Sequence, residues 1–284
     1  MIELKNVSYK YENNNESVYA LKNVSLKIEK GEFWGIIGHT GSGKSTLTEL
    51  MSGLLKATEG DVLVDNINPK KTKNSVRELR GKVGMVFQYP EHQLFEETVL
   101  RDVCFGPKNL GCGEEECIKR AKEALRLVGL GEEYENLSPF ELSGGEKRRV
   151  AIAGVIAMEP IVLILDEPAA GLDPVGRDAL LDTLMKIKGK LCESIVMVSH
   201  SMDDVASCCD RVLVLNRGEV VMSGSPREVF SNAEKLSDIG LDVPQITRLI
   251  KRLNADGCGI DEGVLTVDEA AEAIYKKLKE LGKC

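Results

Sequence analysis

The chain has 284 residues, of which 43% are hydrophobic and 29% charged, and its formal net charge at pH 7 is −8. This composition predicts a folded globular protein of one large domain, or of one domain with an appendage. The acidic balance argues against nucleic acid as the main partner, because neutralising phosphates requires clustered Lys and Arg. No apolar run approaches the roughly 20 residues that cross a bilayer. The first residues form no basic and apolar leader, so nothing indicates secretion.

The N-terminal part of the sequence predicts a small antiparallel sheet followed by a glycine-rich loop. Residues 1 to about 35 have the pattern of short strands, and the apolar residues 33–37 predict a strand buried in a parallel sheet. Apolar residues at helical spacing predict a helix next: Leu47, Leu50, Met51 and Leu54. The segment between strand and helix matches G-x-x-x-x-G-K-[ST]. It consists of Gly38, His39, Thr40, Gly41, Ser42, Gly43, Lys44, Ser45 and Thr46.

A strand, a glycine loop and a helix in this order are the context of a phosphate-binding P-loop. The glycines let backbone N–H groups surround phosphate oxygens, and the helix adds its positive N-terminal end. Lys44 is predicted to reach the β- and γ-phosphates, and the Ser45 hydroxyl to ligate Mg²⁺. The sequence therefore predicts a site for a nucleoside triphosphate.

A second apolar run, residues 161–165, ends in Asp166 and Glu167 and predicts another strand buried on both faces. Asp166 is placed to assist Mg²⁺ binding, and Glu167 to face an attacking water as a base or orienting group. Before this strand, a Leu-Ser-Gly-Gly-Glu segment precedes a predicted helix; its residues are Leu142, Ser143, Gly144, Gly145 and Glu146.

The order of these motifs resembles the nucleotide-binding subunits of ATP-binding-cassette (ABC) transporters, over roughly residues 1 to 225. The Leu-Ser-Gly-Gly signature between the two other motifs is specific to that family. The resemblance implies that Ser143, Gly144 and Gly145 contact ATP held by the P-loop of a second subunit. Two ATPase chains would then enclose two nucleotides head to tail, and this chain would hydrolyse ATP inefficiently as a monomer.

The resemblance also implies roles for four further residues. Tyr11 corresponds to the aromatic residue that stacks on adenine, with Tyr9 as the competing candidate at strand spacing. Gln88 corresponds to the glutamine that contacts Mg²⁺ and the water, so that Ser45, Gln88 and Asp166 form the metal set. Asp173 corresponds to the aspartate that communicates across the dimer. His200 corresponds to the histidine that bonds the γ-phosphate, so that Glu167, His200, Gln88 and Lys44 form the catalytic set.

Two positions depart from the usual family pattern without removing a catalytic group. Glu146 stands where glutamine is commoner, and Ala169 where threonine is common. An active ATPase is expected.

The segment Phe-Gln-Tyr-Pro-Glu-His-Gln-Leu-Phe at residues 87–95 is similar to the ATPases of energy-coupling-factor (ECF) importers of vitamins and trace metals. The segments flanking the signature look like the second of their two paralogous ATPases. A transmembrane coupling subunit is then expected to dock near residues 89–97, with Glu91, Glu96 and Glu97 as candidates to pair with its arginines. A separate membrane subunit would bind the cargo, and this chain would sit peripherally at the cytoplasmic face of the cell membrane.

The expected fold is α/β: a P-loop ATPase core, an antiparallel β subdomain, a helical signature subdomain and a small C-terminal helical extension. The cassette is assigned to residues 1–225, with a helical insertion at about 89–160. Residues 226–284 form the extension, a candidate for dimerisation. The eight cysteines contain no C-x-x-C pair, which favours reduced thiols over a metal site or disulfides.

Two other functions stay open at this point. The chain could serve another ABC transporter, or be a cassette ATPase that acts on DNA or ribosomes. A single P-loop and the lack of sustained heptads disfavour the second. The sequence does not reveal the cargo, whether both composite sites are equally active, or whether the dimer pairs this chain with itself or with a paralogue, which is the expectation.

Overall fold

The computed structural model describes residues 1–13 and 16–280. Residues 14, 15 and 281–284, among them Cys284, lie outside these ranges. The described residues form nine strands: β1 (Ile2–Asn13), β2 (Glu16–Ile28), β3 (Phe33–Ile37), β4 (Glu59–Val64), β5 (Val83–Val86), β6 (Val162–Asp166), β7 (Ser194–Val198), β8 (Arg211–Asn216) and β9 (Glu219–Gly224).

The same ranges contain eleven α-helices. They are α1 (Lys44–Met51), α2 (Lys73–Lys82), α3 (Val99–Leu110), α4 (Glu114–Leu127), α5 (Gly144–Ile156), α6 (Pro174–Ile187), α7 (Met202–Cys208), α8 (Pro226–Ser231), α9 (Ala233–Asp238), α10 (Gln245–Ala255) and α11 (Val267–Glu280). Short 3₁₀ turns cover Pro90–Gln93, Glu132–Tyr134 and Pro139–Glu141.

The main sheet has six strands in the order β5-β6-β7-β3-β8-β9, and all neighbours are parallel except β8 and β9. Both faces of this sheet are covered. Along β6, Leu163 and Leu165 join one hydrophobic cluster, whereas Val162 and Ile164 join the cluster on the other face. The predicted strand buried on both sides is therefore confirmed.

A second sheet, in the order β2-β1-β4, is antiparallel throughout. For this sheet, antiparallel strands were expected only within residues 1 to about 35, so the pairing of β4 with β1 was not predicted. The two strands are separated by the P-loop and α1, so no local pattern signals that they pair. The predicted α/β fold with an antiparallel subdomain is confirmed.

Helices α3, α4 and α5 pack on one another and form the helical part that carries the signature. Two of these helices begin at a side-chain cap. Thr98 caps α3 by accepting a hydrogen bond from the Arg101 backbone N–H, and Ser143 caps α5 in a reciprocal capping box with Glu146.

The C-terminal extension has two parts. Phe230 of α8 and Leu236 of α9 are fully buried in the main core, whereas α10 and α11 share a small apolar cluster around Ile250 and Ala270. The division of the chain after residue 225 stays a prediction. Among the described residues, no helix is both long enough and apolar enough to cross a membrane.

Candidate functional site

The P-loop joins the carboxyl end of β3 to the first turn of α1. All five residues of β3 are buried, so the loop starts from a fixed support. Two glycines are required by close approach: a Cβ on Gly38 would lie 2.3 Å from the Leu215 carbonyl oxygen, and one on Gly43 2.5 Å from that of Ala20. Gly43 also has a φ of 104°, which strains any residue with a side chain. The loop can therefore follow this path only with glycine at these positions.

Lys44 is buried inside the loop. Its Nζ donates hydrogen bonds to the carbonyl oxygens of Gly38 at 2.6 Å and His39 at 2.8 Å. Burial lowers the pKa of Lys44, although the charges of Glu167 and Asp166 oppose this effect. Two carbonyl oxygens thus hold the ammonium group at the loop, where an anionic ligand would give it a partner of opposite charge.

Ser45 and Asp166 meet at the carboxyl edge of the sheet, where Ser45 Oγ donates to Asp166 Oδ2 at 3.1 Å. Burial raises the pKa of Asp166, and the Ser45 hydrogen bond and Lys44 charge act against it. The described residues contain no group of three or more His, Cys, Asp or Glu arranged to hold a metal. Two hard oxygen ligands without a complete protein cage suit a Mg²⁺ ion that keeps phosphate and water ligands.

Glu167 follows Asp166 in a strained backbone conformation, with a φ of 51°. Its N–H donates to the Val198 carbonyl oxygen at 3.0 Å, which ties it to the end of β7. The side chain is only 13% exposed, and its Oε1 is buried. His200 Nε2 lies 3.1 Å from Oε1, but no donor within the described ranges is oriented to form a hydrogen bond with it. Burial raises the pKa of Glu167 to about 7. A strained, under-hydrated carboxylate is typical of a functional position.

His200 lies against Glu167. Its backbone N–H donates to Glu167 Oε2 at 3.4 Å, and its Nε2 is 3.1 Å from Glu167 Oε1. Burial and the Lys44 charge lower the pKa of His200, which favours the neutral imidazole over the imidazolium. A neutral imidazole beside Glu167 forms a polar contact rather than an ion pair.

Three other predicted site residues are exposed. Gln88 lies two residues beyond β5, which pairs with β6, and so belongs to the same edge of the sheet. The Tyr11 hydroxyl is 3.3 Å from Thr46 Oγ1, and its ring packs edge-to-face on Tyr9 with centroids 4.9 Å apart. Asp173 precedes α6 without capping it through its side chain.

The signature stands apart from the P-loop, at the start of α5. Ser143 Oγ donates to Glu146 Oε2 at 2.6 Å, and the Tyr134 hydroxyl donates to Glu146 Oε1 at 3.0 Å. Hydrogen bonds from the Ser143 side chain and backbone and from Tyr134 lower the pKa of Glu146. A Cβ built on Gly144 or Gly145 would meet no described atom within 4 Å. These glycines are therefore not required by packing within the described chain.

Two arginine networks beside these residues, the first of them buried, were not predicted from the sequence. Arg148 of α5 binds Glu91, and Arg177 of α6 binds Asp204 of α7. The partners are 57 and 27 residues apart, so no short motif links them. The only hint in the sequence was that the charged residue Arg148 lies among the apolar positions of α5.

The chain is similar to known proteins over nearly its whole length. Residues 21–170 match the ABC transporter family. An energy-coupling factor transporter ATP-binding protein EcfA2 of Caldanaerobacter subterraneus is 50% identical over 98% of both chains. The EcfA2 protein of Clostridium perfringens is 52% identical over 92% of both.

Two solved structures share the fold. CbiO1 of Clostridium perfringens, described as part of the ABC transporter complex CbiONQ, is 38% identical, with a TM-score of 0.75 over 88% of this chain and 98% of that chain. A dimeric ATP-binding cassette in a post-hydrolysis state, bound to ADP and Pi, is 35% identical, with a TM-score of 0.72 over 80% of this chain and 99% of that chain.

The chain therefore belongs to the ATP-binding-cassette transporter family and, within it, to the energy-coupling factor transporter ATP-binding proteins of the EcfA2 type. The resemblance predicted from the sequence is confirmed.

The raised pKa of Glu167 predicts a pH-dependent effect of Glu167→Gln on the stability of the nucleotide-free protein. The carboxyl pKa rises from 4.5 to about 7 on folding, so folding retains a proton that the unfolded chain releases between these values. Stability is lost over this window as the pH rises. Glutamine cannot ionise, so at about pH 8 the substitution should raise the free energy of unfolding by up to about 3 kcal/mol.

Urea denaturation of both proteins at about pH 5 and about pH 8 measures this effect. The gain should fall to less than about 1 kcal/mol at the lower pH, where most of the ionisation of the unfolded chain is suppressed. An equal difference at both values would show that Glu167 ionises as freely in the folded protein as in the unfolded chain.

Proposed function

We propose that this chain binds and hydrolyses ATP and thereby powers an ECF-type importer of vitamins or trace metal ions. The observation that carries the proposal is the convergence of the P-loop, the Ser45–Asp166 pair and the Glu167–His200 pair at one edge of a parallel sheet. The names of the curated relatives support the transporter assignment.

In the proposed site, the N–H groups of residues 38–46 and the Lys44 ammonium bind the phosphates, and the Tyr11 ring stacks on adenine. Ser45, Asp166 and Gln88 would hold Mg²⁺, which neutralises charge on the β- and γ-phosphates when bound. These residues bind and orient the nucleotide. They supply no covalent chemistry, since phosphoryl transfer depends mainly on positioning and charge stabilisation.

Glu167 is the proposed base or orienting group for the attacking water. Its buried, unpartnered Oε1 offers an acceptor for one proton of that water. Neutral His200 would donate a hydrogen bond to the γ-phosphate from a position 3.1 Å from the same carboxylate. The two residues thus act on opposite partners of one reaction, the nucleophile and the phosphoryl group.

The signature is proposed to act on ATP held by a second ATPase subunit, with Leu142 and Glu146 supporting Ser143, Gly144 and Gly145. Leu142 is buried, and Glu146 fixes the Ser143 side chain. Open space around the two glycines and the start of α5 would admit a phosphate from outside the chain. Asp173 would communicate across the same interface. In a head-to-tail pair with a paralogue or with a second copy, the signature of each chain would meet the nucleotide bound by the P-loop of the other chain.

We place the transmembrane coupling subunit at the groove beside residues 89–97. This groove has a volume of about 880 Å³, is lined by Glu96, Phe105 and Lys108 among others, and adjoins exposed Phe95. Glu91, one of the three acids expected from the sequence to pair with that subunit, does not fit this role, because its carboxylate is mostly buried and already paired with Arg148. Of the three acids, Glu96 lines the groove and Glu97 is exposed.

Co-purification separates this proposal from a different ABC transporter. A tagged chain at the cytoplasmic face of the membrane should retain a paralogous ATPase, a multi-spanning subunit and a small substrate-binding membrane subunit. Recovery with a multi-spanning partner but reproducibly without a separate substrate-binding membrane subunit would favour the alternative. The same experiment addresses the disfavoured function on nucleic acid or ribosomes, which would bring ribosomal or nucleic-acid partners instead.

Glu167→Gln in the assembled transporter should abolish ATP turnover while ATP binding persists. The amide removes the acceptor for the water but leaves Lys44 and Ser45 in place. Steady-state phosphate release and binding of a labelled ATP measure the two effects. Wild-type turnover in this variant would remove Glu167 from the catalytic set.

Ser143→Arg tests the composite site. The long side chain should block closure of the dimer, while ATP still binds to this chain's own P-loop. In a mixed dimer, hydrolysis should be lost at the site whose P-loop lies on the other chain, which chain-by-chain trapping of labelled nucleotide detects. Lys44→Ala is the matched control, since it should lose nucleotide on this chain and spare the partner. If Ser143→Arg emptied its own P-loop instead, the head-to-tail arrangement would be wrong.

A further inference from the structure

Arg148 of α5 is a buried cation whose surroundings are unusual for an arginine. Its side chain is only 5% exposed. A buried guanidinium is costly unless it is paired and its N–H groups are satisfied. Its partners therefore fix where α5 can lie relative to them.

The guanidinium binds two separate loops. Nε donates to Glu91 Oε2 at 3.1 Å and Nη2 to Glu91 Oε1 at 2.8 Å, a bidentate pair. Nη1 donates to the carbonyl oxygens of Pro168 at 3.2 Å and Ala170 at 2.5 Å. All three guanidinium nitrogens are thus engaged.

Each partner lies next to a residue of the proposed catalytic set. Glu91 is three residues beyond Gln88, in the turn Pro90–Gln93, and Pro168 directly follows Glu167. Arg148 itself is on the helix that Ser143 caps. One planar group therefore connects the segments that carry Gln88, Glu167 and the signature.

We propose that Arg148 is a positioning residue that holds Gln88 and Glu167 at a fixed spacing and ties that spacing to the position of the signature helix. The inference rests on the proposed ATPase function. Displacement of α5 on closure around a partner's nucleotide would be transmitted to the chain's own hydrolytic residues, so that the two composite sites act together.

The chemistry of the contact supports a rigid connection. Burial raises the pKa of Glu91, but the hydrogen bonds and charge of Arg148 prevail and lower it overall, so the carboxylate stays ionised. A planar fork that binds a carboxylate on one edge and two carbonyls on the other fixes direction as well as distance. A lysine could keep the charge but could not make both sets of contacts.

The test compares Arg148→Gln, Arg148→Lys and Glu91→Gln in the assembled transporter. Arg148→Gln should lower kcat for ATP by about 10- to 100-fold, since small misplacements of catalytic groups have effects of this size. KM and the affinity for labelled ATP should stay within about 3-fold, because the P-loop is untouched. The kcat of Arg148→Lys should lie between those of Arg148→Gln and the wild type. The double variant that combines Glu91→Gln with Arg148→Gln should have a kcat no lower than that of Arg148→Gln alone.

Arg120→Gln is the matched control. Arg120 also forms ion pairs in the helical part, with Glu116 at 2.7 Å and Glu159 at 3.0 Å. Among the described residues, it forms no hydrogen bond to the loop after Gln88 or to the loop after Glu167. It should leave kcat unchanged. A purely structural role for Arg148 would lower the melting temperature while the folded fraction kept wild-type kcat.

Two outcomes distinguish this inference from the function it rests on. Wild-type kcat in Arg148→Gln, with Glu167→Gln inactive, would overturn the positioning role and leave the ATPase assignment intact. Turnover in Glu167→Gln would instead contradict the proposed site. If Arg148→Gln failed to assemble, Glu91→Gln would decide: a lower kcat at constant KM supports the inference, and an unchanged kcat overturns it.

Discussion

The parallel register of β3, β7 and β6 is the constraint on which the site depends. Ile36 and Asp166 both lie opposite Val198, so the three strands end at the same level. Because parallel strands all present their carboxyl ends at one edge, the loops that follow them converge there. Burial on both faces of the sheet fixes this register, since a shift of one residue would move each side chain to the opposite face.

The electrostatics of the site follow from that convergence. Lys44, Asp166 and Glu167 are brought together in a space that excludes much of the solvent, so burial disfavours the charged form of each. The positive charge of Lys44 only partly offsets the effect of burial on the pKa values of the two carboxyl groups. In the proposed function, a magnesium-bound triphosphate would add both cation and anion to this group and supply the missing partners.

The signature at the start of α5 supplies the other half of the proposed function. Ser143 and the glycines after it are held by the capping box of α5, with open space in front of them. The C-terminal extension reaches the nucleotide site from another side. The His39 imidazole contacts the carbonyl oxygen of Ile239, and the N–H of Gln245 donates to Asp203 at 3.0 Å, just beyond His200. The extension is thus in contact with the P-loop and with the helix that follows β7.

The sequence alone determined those features that a short segment encodes. The P-loop, the strand ending in Asp166 and the signature were all recognisable, because glycine spacing, apolar runs and helix caps act over a few residues. Tertiary structure decided the pairing of β4 with β1, the inward turn of Glu91 toward Arg148 and the raised pKa of Glu167. Each of these depends on groups distant in the chain, whose separation and burial arise only when the sheet and the helical part pack together.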